Sequence, residues 1–402
     1  MSTTRSAGQR EPATRPAPVI LRQGFRLFFP AAGFWAAAAV AIWLGAFLGY
    51  LRIPTAFSPL AWHAHEMIFG FVVAVIAGFL LTAVGNWTQR ETVIGAPLLG
   101  LSALWLLGRV AMLSSQAWPR ALTVLVDLSF LPCLIAVLAL PLWLARSYRN
   151  LPLLGILVAL FACNLAVHLA GLGVPTGMTA RQACLTALDL VLVIIGIIAG
   201  RVFPLFTRNA TRVATIRSSV WLDRASVVSL VALASADAAF PDTQLTAATA
   251  GLAATLAVAR AWHWGARHTL RQPLLWVLHA GYVWYVVGLA LRAVHGFTGA
   301  IPASLATHAL TVGAIGGLTL GMMARVALGH TGRPLVVSRT MAGAFLAING
   351  AAAARVLVPW LAPDYYFASL VAAATLWTGA FLVFVVVYTP LLTTPRIDGK
   401  FG

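Results

Sequence analysis

Apolar stretches of about 20 residues recur along the whole chain, divided by short loops of arginine, proline and glycine. In hydrocarbon no water satisfies backbone amides, so each stretch has one workable form, a helix that hydrogen-bonds itself across the bilayer. The composition agrees: 60% of the residues are hydrophobic and 9% charged, where a soluble chain carries about 25% charged. Cutting at the Pro, Gly and Arg clusters predicts twelve spans. They fall near 28–50, 63–84, 95–113, 120–145, 151–172, 183–203, 222–240, 243–262, 273–294, 302–326, 339–358 and 365–390. The expected fold is therefore all-α, a polytopic membrane protein. Residues 28–392 form one transmembrane domain. Before it lies a basic, Pro- and Thr-rich segment, 1–27, expected to be disordered, and after it a short tail, 393–402. The first span is longer than a signal-peptide core and reads as a retained helix. Pro132 and Pro141 should kink the fourth span. The seventh and eighth are the least clear, because Asp237, Pro241 and Asp242 crowd the turn between them.

A formal charge of +17 could suggest nucleic acid, but the basic residues are scattered through loops rather than gathered on one face. Placing both termini in the cytoplasm leaves only Arg52, Arg109, Arg120, Arg181, Arg292 and Arg355, of 27 Lys and Arg residues, on the outer side. That bias is the positive-inside rule of a cytoplasmic (inner) membrane. Cys133, Cys163 and Cys184 lie in or beside apolar spans with no CxxC pair, so no disulfide framework or thiolate metal site is implied.

Against this background one stretch stands apart, Trp62-His-Ala-His-Glu-Met-Ile-Phe-Gly-Phe71. Ionisable groups at the edge of a hydrocarbon span are costly and mark working sites. His, Glu and Met also bind haem iron or copper. Residues two apart on a helix point about 200° from each other, so His63 and His65 should serve different neighbours, while His63 and Met67 share a face. The orientation places His63, His65, His168, His295 and His308 at the outer level, five of the 9 histidines. His308 is followed by Gly313, Gly316, Gly317 and Gly321, which suggests a haem slot between the second and tenth spans. The bland alternative for those glycines is helix packing. We assign His65 and His308 to haem, and His63, Glu66 and Met67 to copper, with His168 a further metal candidate. Arg325 and Arg333, at the inner end of the tenth span, could pair with haem propionates or simply anchor the helix. His279 with Tyr282, and His295 and His330, are secondary candidates set against ordinary packing roles. Asp127 and Asp189, inside apolar spans, suggest proton transfer or interhelical hydrogen bonds. With no CxxCH motif, any haem is non-covalent.

Spans two, six and ten end inward in similar Gly-containing, basic runs, which hints at three repeated four-helix units. Several motifs together closely resemble the NnrS family: Gly24-Phe-Arg-Leu-Phe-Phe29, the 62–71 stretch, Gly78-Phe-Leu-Leu-Thr-Ala83 with Asn86-Trp-Thr88, Gly200-Arg-Val-Phe-Pro204, and Met322-Met-Ala-Arg-Val-Ala-Leu-Gly-His-Thr-Gly-Arg-Pro334. The resemblance implies a bacterial inner-membrane protein with haem b and copper, tied to nitric oxide, denitrification and nitrosative stress. The chain departs from that pattern at Gly85 and Gln89, both in an inner loop. Three functions then stand beside one another. The first is a haem–copper protein that binds or reductively detoxifies nitric oxide, as a nitric oxide reductase-like oxidoreductase would, with a quinol or cytochrome donor. The others are a transporter using intramembrane His, Asp and Arg, and a sensor without turnover.

Overall fold

A computed structural model describes residues 17–400. Twelve long helices account for the twelve predicted spans. They are α1 Gly24–Phe47, α2 Pro59–Thr88, α3 Ala96–Leu113, α4 Arg120–Leu144, α5 Leu151–Gly171, α6 Ala180–Thr211, α7 Val220–Ala239, α8 Gln244–Ala261, α9 Pro273–Thr298, α10 Ala303–His330, α11 Arg339–Val356 and α12 Tyr366–Thr393. No strand occurs among the described residues. Ten helices are long and apolar enough to cross a membrane. The two that fall short are α7 and α8, which carry Asp223, Arg224 and Asp237 and a run of alanine and threonine. At 20 and 18 residues they still reach roughly 30 Å each. They pack between α6 and α9. α4 runs as one helix through Pro132 and Pro141.

Local chemistry sets the helix starts. Ser58 caps α2 by accepting from the Ala61 amide, with Pro59 at the first helical position. Thr179 and Gln182 form a capping box on α6. Inside the spans two helices depart from α geometry. α2 is α-helical to His65, π-helical over Glu66–Val72, then α-helical again. α10 does the same, with His308 closing the first part and a π segment over Ala309–Gly316. Such π turns are rare and concentrate at functional sites.

Helices adjacent in sequence pack side by side, and α12 lies along α1, so the chain closes into a ring. The three most buried spans are α2, α6 and α10, at 89%, 72% and 72%. These are the helices whose inner ends echo one another in sequence. They form the interior seam of the molecule. One end of the bundle holds His63, His65, His168, His295 and His308; the other holds most of the loop arginines. We call these the histidine end and the arginine end.

Of the segment expected to be disordered, residues 1–16 lie outside the described residues. From Ala17 onward the chain packs: Val19–Leu21 make a short turn, and the Gly95 amide donates to the Leu21 carbonyl. α1 begins four residues before the predicted 28, where the buried Arg26 donates to the Leu392 carbonyl at 2.7 Å. The tail also docks, as Arg396 donates to the His330 carbonyl at 2.7 Å and the Ile397 amide to the Thr331 carbonyl. The Arg396 guanidinium holds the carboxyl of Asp398 well below the usual carboxylate range.

Candidate functional site

At the histidine end the two histidines of the 62–71 stretch face different neighbours, as their angular separation requires. His65 turns towards α4 and α5, into a fully buried polar network. Its Nδ1 lies 3.0 Å from Glu66 Oε1, and its Nε2 lies 2.9 Å from Asn164 Oδ1 and 3.2 Å from Asp127 Oδ2. Arg109 reaches in from α3, donating to both Glu66 oxygens at 2.8 Å and to Asp127. Asn164 Nδ2 and His168 Nε2 each lie 2.9 Å from Asp127 Oδ2. Two carboxylates thus meet one guanidinium. The remaining negative charge is matched by the His65 ring, whose two nitrogens both face acceptor oxygens. Ligand atoms of His65, Asp127 and His168 lie within 4.8 Å of one another, close enough to share one metal ion. A small cavity of about 60 Å³, lined by Ser115, Arg120 and Thr123, leads to His168.

Gly70 lets the network form. A Cβ at this position would lie 2.9 Å from both Arg109 Nη1 and Glu66 Oε2, and 2.6 Å from Trp35 Nε1. Within the π turn, the Gly70 carbonyl accepts from Trp105 Nε1 at 3.0 Å.

His63 points the other way. It stacks on Trp43 with ring centroids 4.4 Å apart and lines a largely apolar cavity of about 80 Å³. His308 of α10, Met67, Arg355 and Trp377 line the same cavity. His308 Nδ1 donates to the Ser304 carbonyl at 2.7 Å, which turns the lone pair to Nε2. His63 Nδ1 has no hydrogen-bond partner, nor do Arg355 Nε and Nη1. Buried donors are seldom left so.

The histidines are therefore re-sorted. The cavity between α2 and α10 exists, but His63, rather than His65, shares it with His308. Met67 stays with His63 as expected, whereas Glu66 and His168 go with His65. The cavity arginine is Arg355. Arg325, stacked on Phe206 at 3.9 Å, and Arg333, bound to Thr394 Oγ1, sit at the arginine end. The α10 glycines serve packing, since a Cβ at Gly313 would strike Trp284 at 2.4 Å and one at Gly316 would strike Trp377 at 2.5 Å.

The secondary candidates have structural partners. His279 Nε2 lies 3.0 Å from Thr207 Oγ1, and Tyr282 accepts from Arg260 and donates to the Ala257 carbonyl. His295 Nδ1 donates to the Ile301 carbonyl, and His330 packs on Phe25. Asp189 and Asp237 share Arg292, a link joining α6, α7 and α9. Sequence reasoning missed Arg109, Asn164, Arg355 and Arg292. A signal was present for the arginines: these three, counted with the outer side, sit inside apolar runs rather than in loops, where a cation needs a partner.

A family model described as NnrS protein matches residues 19–396. The chain belongs to the NnrS family. It is accordingly a membrane protein of the nitric oxide response, and the family brings a general association with haem and metal. No curated protein matches the chain. In this NnrS protein the 62–71 stretch contributes His63 and Met67 to one site and His65 and Glu66 to the other, while the remaining motif segments lie towards the arginine end.

Proposed function

We propose that this chain is a haem- and copper-binding inner-membrane protein that binds nitric oxide and removes it reductively, with both termini cytoplasmic. The carrying observation is the cavity between α2 and α10, where His63, His308 and Arg355 meet, Arg355 resting on the Tyr366 ring with its Nε and Nη1 unpaired. The donor types suit haem b, and the cavity, at about 80 Å³, must widen to admit the macrocycle. Two imidazoles from facing helices suit the iron, aromatic and aliphatic walls suit the macrocycle, and Arg355 suits a propionate. His308 is already oriented by its bond to Ser304. When bound through one of the two imidazoles, the haem would supply an iron with a position left for nitric oxide; held by both, it would carry electrons instead. The chain's own part is to orient the imidazoles, exclude water and pair the propionate.

Copper would be held by His65, Asp127 and His168. A cuprous ion replacing the His65 ring proton preserves the charge balance of the network, and Arg109 and Glu66 hold the ligands in place. Reduction consumes protons as well as electrons. His168, Asp127, His65 and Glu66 lie in a continuous line of polar contacts from the small polar cavity into the core, which would carry protons only while no ion sits between the two rings. The completeness of that network without a metal is what favours the second reading, a transporter or sensor that handles protons only. A quinol or cytochrome would supply the electrons.

Haem and copper content of the purified protein decides between them. His63→Ala and His308→Ala should each lose haem and keep copper; His65→Ala and His168→Ala should lose copper. Haem retained in the His63→Ala/His308→Ala double variant would overturn the haem assignment.

A further inference from the structure

Three cavities lie end to end along α2, α6 and α10. The first is the His63–His308 cavity. The second, about 100 Å³, shares the wall residues Val72, Val191 and Ile315 with it. The third is a vestibule of about 1360 Å³ at the arginine end, which shares Phe79, Ile198 and Met322 with the second. From His63 to Phe79 is roughly 24 Å of helix rise, so the string runs through most of the bundle.

The middle chamber has one polar wall residue, Thr319, and its hydroxyl is turned back to the Ile315 carbonyl at 2.7 Å. A chamber without polar partners stays dry, because a buried water needs two to four of them. Ions and protons are excluded for the same reason. The room is several times the ~10–15 Å³ that one water-sized probe occupies, so small uncharged molecules fit. The polar groups at its two ends differ: imidazoles and Arg355 at one, and Arg149, Arg201, Asp223 and Arg224 of the vestibule at the other.

We propose that this seam is a conduit and store for an uncharged diatomic gas, passing it from the vestibule to the His63–His308 cavity. The proposal rests on the reading of that cavity as the gas-binding site, and it separates two supplies. The gas arrives through the apolar seam; protons arrive through the network of His168 and Asp127 on the other side of α2.

The test uses the purified full chain with its haem, xenon as a probe of the chamber, and carbon monoxide as a probe of arrival. Ile194→Phe and Val75→Phe each fill the middle chamber without touching the histidine cavity. Both should lose the exchange-broadened xenon resonance of the parent while keeping haem content and the reduced-minus-oxidised spectrum. Carbon monoxide association after flash photolysis should slow by roughly tenfold or more, because diffusion then waits on side-chain motion. Unchanged association in both variants, with the spectrum intact, overturns the conduit. So does a haem-loaded parent that binds no xenon. A protein that purifies without haem overturns the haem assignment instead, and xenon binding alone then decides whether the chamber takes a gas.

Discussion

Arg109 shows what a single side chain contributes here. It stands between Glu66 and Asp127, both fully buried, and supplies one of the two positive charges near them. Removing one partner of a buried pair leaves an uncompensated charge, at a cost of about 3–5 kcal/mol. Arg109→Met should therefore lower stability by that order in detergent denaturation. The same change combined with Glu66→Gln and Asp127→Asn should recover most of the loss. A small effect from the single change would show that water reaches the network. Arg109 was visible in the sequence only as one of six arginines on the minority side. Arg292 and Arg355 were among the same six. These three of the six lie within spans and are buried, paired or cavity-facing, because a cation within a span must be matched by something other than water; Arg52, Arg120 and Arg181 are exposed.

At the scale of the element, the π turns of α2 and α10 set where side chains point. Each begins directly after a histidine, His65 or His308, and each shifts the helix face beyond it. Gly70 within the first turn tolerates no Cβ. Gly70→Ala should cost about 1–3 kcal/mol through overpacking and should disturb the Arg109–Glu66 contact, read as a fall in thermal midpoint. Gly343 of α11 is the contrast. Nothing lies within 4 Å of its would-be Cβ, so Gly343→Ala should stabilise by up to about 1 kcal/mol through helix propensity. Equal effects at the two sites would sink the packing argument. A 3.6-residue period carries no mark of a π turn, which adds a residue without changing the apolar character of the run. The turns were not legible for that reason.

Across the whole molecule, ring closure of α12 on α1 and the burial of α2, α6 and α10 create the seam and both histidine clusters. The arginine bias predicts that both termini share one side. A phosphatase fusion after Arg52 or near Asp242 should be active outside, and a fluorescent protein after Arg90 or Arg271 should fluoresce inside. An inactive phosphatase near Asp242 would mean that α7 and α8, the two less apolar helices, do not cross as a hairpin. The sequence alone determined the all-helical class, twelve segments close to their observed bounds, the shared depth of five histidines and the divergence of His63 from His65. Each follows from hydropathy, loop charge or the helical period, which are properties of one chain segment read by itself. Tertiary structure alone decided that His63 meets His308 and that His65 meets Asp127 and His168. A helix fixes the direction in which a residue points around its own axis. Which neighbour stands in that direction depends on how all twelve helices pack.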